Sequence, residues 1–354
     1  MRRTRRLVET AALVGMIGVG LASASTAALG AGGDATQEDS QKPLILHKQG
    51  SFFVGGQTAS TGPNSDITID QMYVQFQVPE GAGKHLPVVM LHGCCLSGKT
   101  WETTPDGRMG WEEYFVRRHR PAYIPDQVSR ARSGFDSTTI SRVKAGALPP
   151  SALPNVFQAS HQISWTLFRF GPTFGTVFSD EQFPVNAADE LYKQMIPDLN
   201  ALLPAVNPTW TNLAALAKQL GGAVLMGHSE SGFFPEQAAL IDPAGIRGVI
   251  TIETAFCVTN LTPQQLAVFR NVPVLVVFGD HLADVPAFAS LWTASFDTCN
   301  QFVQQVNAAG GDAQMLSLPA VGVFGNSHMM MQDKNNLEVA DLILKWIDEH
   351  VGGR

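Results

Sequence analysis

Large and polar side chains alternate over residues 72–78, Met-Tyr-Val-Gln-Phe-Gln-Val, and the run stops at Pro79. This is the pattern of an antiparallel strand with one face open to water. Upstream, Leu44-Ile45-Leu46 with Ser51-Phe52-Phe53-Val54, ending at Gly55-Gly56, reads as a first hairpin or strand pair. Downstream the alternation gives way to short continuous apolar runs at 87–91, 122–124, 223–226, 249–252 and 274–278. Such runs predict strands buried on both faces. Residues 211–220 place Leu213, Leu216, Ala217 and Leu220 on one helical face and stop at Gly221-Gly222, and residues 337–347 repeat the period before the C-terminus. Antiparallel strands followed by an alternating β/α series predict an α/β fold, an open and mainly parallel sheet with helices on both faces. Residues 135–210 break the alternation. They mix Phe157, Trp165, Phe168, Phe170, Phe174, Phe178 and Phe183 with prolines, and are read as an inserted cap whose aromatics build its own small core while one or two line an apolar pocket.

Ligands of such sheets bind beyond the carboxyl ends of the strands, where His92, Asp126, Ser229, Glu253 and Asp280 fall. The richest of these ends is Gly227-His228-Ser229-Glu230-Ser231-Gly232, entered from the apolar run 223–226. A strand running into a sharp turn with serine at its tip is the layout of a nucleophile elbow. There the hydroxyl is exposed above the sheet, and the amide of the next residue, Glu230, points where an oxyanion forms. The motif is imperfect, because Ser231 stands where the second glycine of G-x-S-x-G belongs.

A serine hydroxyl needs a base, and the base needs an orienting acid. Of nine histidines, His228 adjoins the serine on a strand and is expected to face away from it. His92 begins a turn and reads as structural. His281 and His328 remain, and chain order in α/β-hydrolases, with histidine last, favours His328 in Gly325-Asn326-Ser327-His328. The acid is less determined. The frequent position three residues after Gly279 holds Leu282, flanked by Asp280 and Asp284, while Glu253 ends the earlier run 249–252 as a rival. If Glu253 is not the acid, a partner such as Arg247 or a backbone amide is its alternative. The second oxyanion donor is expected from the loop His92-Gly93-Cys94-Cys95.

The first thirty residues carry Arg2, Arg3, Arg5 and Arg6, an apolar run over 11–22 and a small-residue stretch after it. Residues 1–30 thus read as a signal peptide, 31–42 as a disordered polar lead-in and 43–354 as one α/β domain with the cap at 135–210. The export route, general or twin-arginine, is open. Cleavage removes four arginines and Glu9, taking the net charge from −7 to −10. So acidic a product, secreted or periplasmic and without a basic run, is a poor candidate for nucleic acid, and no membrane anchor is expected after cleavage. No His-Glu-x-x-His or comparable cluster calls for a metal, and no cofactor is implied. Export makes Cys94, Cys95, Cys257 and Cys299 disulfide candidates with three pairings. Neighbouring Cα atoms lie about 3.8 Å apart, below the usual disulfide range, so geometry by itself gives Cys94 and Cys95 separate partners.

Further stretches carry a more specific signal: Gly50-Ser51-Phe52-Phe53-Val54-Gly55-Gly56, Met90-Leu91-His92-Gly93-Cys94-Cys95-Leu96 and Thr100-Trp101-Glu102-Thr103-Thr104-Pro105-Asp106-Gly107-Arg108. With the elbow, Ile252-Glu253 and Gly325-Asn326-Ser327-His328, they resemble the secreted bacterial esterases of the Alcaligenes type, which have the α/β-hydrolase fold. The resemblance implies Ser229 as nucleophile, Glu253 as acid and His328 as base, with Cys94, Cys95 and Glu230 at the oxyanion hole. It also implies disulfides Cys94-Cys95 and Cys257-Cys299, overriding the geometric default, and makes Ser231 ordinary at its position. The expected activity is hydrolysis of small-molecule carboxylic esters through an acyl-enzyme. A lactone hydrolase on the same residues, or an inactive binding protein of the same fold, is the alternative. Monomer and homodimer are both compatible with the chain.

Overall fold

The computed structural model describes residues 42–351. The signal peptide and all but the last residue of the lead-in lie outside the described residues. Eight strands form one sheet in the order β1-β2-β4-β3-β5-β6-β7-β8. β1 (Leu46–Gly62), β2 (Ser65–Pro79) and β4 (Ala122–Pro125) pair antiparallel, while β3 (Val88–Leu91), β4, β5 (Ala223–His228), β6 (Ile246–Ile252), β7 (Val274–Phe278) and β8 (Ala313–Ser317) run parallel. Among the described residues nine α-helices are interspersed with these strands: α1 (Trp111–Arg117), α2 (Thr138–Lys144), α3 (His161–Leu167), α4 (Ala188–Gln194), α5 (Pro208–Gln219), α6 (Phe234–Ile241), α7 (Pro263–Phe269), α8 (Ala289–Ala308) and α9 (Asn336–His350). Together these elements make an α/β-hydrolase fold.

The apolar runs do what their pattern demands. Val88, Met90, Val224, Met226, Ile250 and Ile252 point to one face, against α1 and α9. Val89, Leu91, Leu225, Val249, Val274 and Val276 point to the other, against α5, α6 and α8. Period two on two covered faces requires apolar residues throughout. Helix α5 starts at Pro208 behind an Asn207 side-chain cap on Thr209, earlier than the apolar period announced. It packs on the sheet, so the cap ends before residue 208.

Two expectations change. β1 does not stop at Gly55-Gly56 but runs on to Gly62, because Gln57, Thr58, Ala59 and Ser60 pair on with Ile69, Thr68, Ile67 and Asp66 of β2. Extended cross-strand pairing outweighs the weak strand propensity of two glycines. The cap has no separate core either: Trp165, Phe168, Phe170 and Phe183 are buried and continuous with the α1/α9 side of the main core. Phe170 and Phe183 stack at 3.9 Å between centroids. The cap is therefore anchored to the sheet's ligand end as one body with it.

One buried acid braces the connection after β6. Glu236 of α6 is fully buried, accepting from Thr251 Oγ1 (3.0 Å) and Val258 N (2.9 Å). Burial pushes its carboxyl up to about 8 from an ordinary 4.5. The folded chain keeps this proton to about pH 8 while the unfolded chain loses it near 4.5. Its contribution to stability is thus complete below 4.5 and declines as pH rises to 8. Urea midpoints across that range are expected to fall less steeply in Glu236→Gln, which has no proton to lose.

Candidate active site

Strand β5 delivers the elbow. Ser229 has φ +59°, a left-handed conformation uncommon outside glycine, and the turn it makes leaves its side chain half-buried at the strand's end. Gly227 has to be glycine, since a Cβ there lies 2.1 Å from Ser231 O. Ser231 needs no such room. It is buried with its hydroxyl 3.1 Å from the carbonyls of Leu91 and His228, so it staples the elbow to β3.

The structure brings Ser229, His328 and Glu253 into one chain. Ser229 Oγ lies 2.9 Å from His328 Nε2, and His328 Nδ1 lies 3.1 Å from Glu253 Oε2. A carboxylate only accepts, so Nδ1 carries the proton and Nε2 is free to accept from the hydroxyl. Both His328 and Glu253 are fully buried. The loop that carries His328 is tied down by Asp333, whose carboxylate accepts from Ser327 N (2.8 Å), Ser327 Oγ (2.7 Å) and Asn326 Nδ2 (2.9 Å). Phe168 of the cap stacks on the imidazole at 5.2 Å and accepts from His328 N.

The other acid candidates are occupied elsewhere. Asp280 accepts from the amides of His281 and Gly325. Asp284 faces His281, which also meets Asp180 and stacks on Phe178. Asp180, Asp280 and His281 bring ligand atoms within 4.8 Å of one another, but His281 is already held between two carboxylates. Arg247 is not the partner of Glu253. That partner is Arg169 from the cap, and nothing in the sequence reading marked it. Its Nη1 and Nη2 donate to the two Glu253 oxygens at 2.8 and 2.6 Å, its Nε donates to Asp280 O at 2.8 Å, and its guanidinium lies 5.1 Å from the Trp292 ring. The available signal was a lone arginine between Phe168 and Phe170 in an aromatic-rich run. Burial by itself would raise the Glu253 carboxyl; the Arg169 charge, with the His328 hydrogen bond, overrides it and holds it down at about 2. Burial keeps the His328 imidazole below its ordinary value, with Glu253 pulling it up and Arg169 pushing it down.

His228 does not simply turn away. It is buried behind His328, its Nε2 donating to His328 O at 2.9 Å, and burial keeps it neutral. His92 is structural: Nδ1 donates to Gly93 O and Nε2 accepts from Gln127 N, fixing the loop after β3. In that loop Cys94 and Cys95 are joined to each other, and Cys257 is joined to Cys299 across 42 residues. The geometric default of separate partners fails here, because Cys95 takes a left-handed φ of +61° that a free chain seldom adopts. Gly93 brings this loop against the elbow, where an added Cβ falls 2.5 Å from Ser229 Cβ. Glu230, which follows the serine, turns its side chain to Asn200 Nδ2 (2.6 Å) and Arg130 Nη2 (3.3 Å), and Arg130 also holds Asp198 (2.8 Å). Burial, aided by Asp198, raises the Glu230 carboxyl to about 7.

No family profile matches the chain. A bacterial esterase solved at atomic resolution is 47% identical, covers 88% of this chain and 98% of its own, and superposes with a TM-score of 0.82. The chain belongs to that family of bacterial α/β-hydrolase esterases. The curated protein named "Probable secreted lipase phiG", from a fungus (strain ATCC 74256), is 25% identical over 84% of this chain and 89% of its own. The thioesterase domain of the curacin pathway is a remote likeness, 11% identical with a TM-score of 0.42 over 84% and 100% of the two chains. This protein is a hydrolase of the esterase and lipase type.

The contacts of Glu253 generate a ranking. Glu253→Gln is expected to lower turnover by about 10⁴, since an amide at this place favours the wrong imidazole tautomer. Asp280→Asn and Asp284→Asn are expected to retain most of it. Steady-state turnover of a p-nitrophenyl ester by the three variants checks the order.

Proposed function

We propose that the protein is an exported serine carboxylesterase that hydrolyses carboxylic esters through an acyl-enzyme. The observation that carries this reading is the continuous hydrogen-bonded chain from Ser229 Oγ through His328 to Glu253. In the proposed reaction Ser229 Oγ attacks the ester carbonyl and its proton passes to His328 Nε2. The carboxylate of Glu253 stabilises the imidazolium and keeps its Nδ1–H aimed correctly. The carbonyl oxygen, now anionic, is received by the amide of Glu230 and by the loop closed by Cys94 and Cys95. His328 then gives its proton to the departing alcohol. Water, deprotonated by the same imidazole, attacks the acyl group and releases the acid.

The vicinal ring supports the oxyanion assignment, because a loop held in one conformation needs little reorganisation as charge develops. Export rests on the arginine-led apolar segment at the N-terminus and on the likeness to a protein named as secreted. Among the described residues no helix is long and apolar enough to cross a membrane.

Ser229→Ala removes the nucleophile without removing packing, since the side chain is half-buried and small. Ester turnover is expected to fall on the order of 10⁶-fold with an unchanged melting temperature, and a fluorophosphonate that labels the wild type is expected to leave the variant unlabelled. Substantial turnover in a folded Ser229→Ala protein would reject the assignment.

A further inference from the structure

Arg169 is fully buried and all three of its guanidinium nitrogens are engaged: two on the two Glu253 oxygens and Nε on the backbone carbonyl of Asp280. Glu253 Oε1 also accepts from Gly279 N, and Oε2 from His328. Four donors fill the four acceptor positions of one carboxylate, which fixes the acid in plane and in rotation. Arg169 comes from the cap, one residue after Phe168, which stacks on the base and accepts its backbone amide. Its φ of +62° shows a backbone bent to reach this place. Neighbouring cap residues thus hold the base and the acid.

Resting on the esterase reading above, we propose that Arg169 is a positioning residue for the acid and base: it locks Glu253 in its productive orientation and offsets its charge, so that His328 stays unprotonated and able to accept the serine proton in mildly acidic solution. The charge count explains why. Arg169, Glu253 and neutral His328 sum to zero at rest. Without Arg169, a buried carboxylate faces the imidazole with no counter-charge and draws a proton onto the pair. The other titratable groups near this cluster are His228, buried behind the base, and Glu181 and Asp333 beside the base loop. Glu181 and Asp333 also feel the Arg169 charge, which favours their ionised forms, so its removal moves them in the same direction. His328 therefore has to be observed directly.

The test compares Arg169→Met, Arg169→Gln and Arg169→Lys in the full-length protein, with melting temperatures recorded alongside. In Met and Gln the acid limb of kcat/KM, and of the rate of phosphonylation by a fluorophosphonate, is expected to move up by roughly 1 to 3 pH units, the shift a charge at this distance imposes. The effect is expected to fall on kcat more than on KM. Lys, which keeps the charge without the two-pronged fork, is expected to leave the limb near its wild-type place while lowering kcat. Imidazole nitrogen resonances of the wild type, with His328 assigned by its loss in His328→Ala, are expected to titrate below the ordinary histidine value of 6.5. A residue that served folding alone would lower activity at every pH and leave the limb where it was. Unmoved limbs in folded Met or Gln variants overturn the proposal. So does a wild-type His328 that titrates at or above 6.5, a result that needs no variant at Arg169 to fold. Failure of the esterase reading looks different: fluorophosphonate would not attach to Ser229 at any pH.

Discussion

The carboxylate of Glu253 is the constraint on which the rest of this site depends. A charge with no exposure to water is costly unless every acceptor position is answered, and removing one partner of a buried pair typically costs about 3 to 5 kcal/mol. Here the answers come from three separate parts of the chain: Gly279 after β7, His328 in the loop after β8, and Arg169 in the cap. One carboxylate therefore ties the cap, the central sheet and the base loop into a single arrangement. Glu253 itself is held at φ +50°, strain that persists only where the surroundings over-determine it.

A second knot lies on the other side of Ser229. Asp126 at the end of β4 accepts from Gly98 N at 2.7 Å, while Gln127 and Arg130 reach the carbonyls of His92 and Gly93. Arg130 continues to Asp198 and Glu230, so the disulfide loop and the elbow share a partner. The amides proposed to receive the oxyanion are thereby placed by buried polar contacts rather than by loop preference. Preorganisation of this sort is what allows a hydrogen bond to favour the transition state over the ground state.

The legible part of the molecule was the part written in local pattern. Continuous apolar runs announced β3 to β7, the apolar period over 211–220 announced α5 but not its start at Pro208, and the strand-to-serine turn announced the elbow with Ser229. Chain order favoured His328, which the fold places 2.9 Å from Ser229 Oγ. What local pattern could not hold was pairing across the chain. Glu253 and Asp280 were not separable by strand position, and only the resemblance chose between them. Arg169, 84 residues from Glu253, carried no periodic or motif signal. The fate of the cap aromatics was missed for the same reason: whether Phe170 packs within an insertion or onto the main core is decided in three dimensions. The Cys94-Cys95 ring goes further, since short-range geometry argued against it and only the whole loop makes the left-handed Cys95 tolerable.

The central claim is that Ser229, His328 and a Glu253 saturated by Arg169 form the reacting unit. A crystal structure of the protein after reaction with a small alkyl phosphonate tests it most directly. The account predicts a phosphorus–oxygen bond to Ser229 Oγ and a phosphoryl oxygen within about 3.1 Å of the Glu230 amide and an amide of the Cys94-Cys95 loop. It also predicts that His328 Nδ1 and both Arg169 prongs remain on Glu253. A phosphonate attached to another residue, or a His328 ring turned to Asp280 with Glu253 left to Arg169 alone, would contradict it.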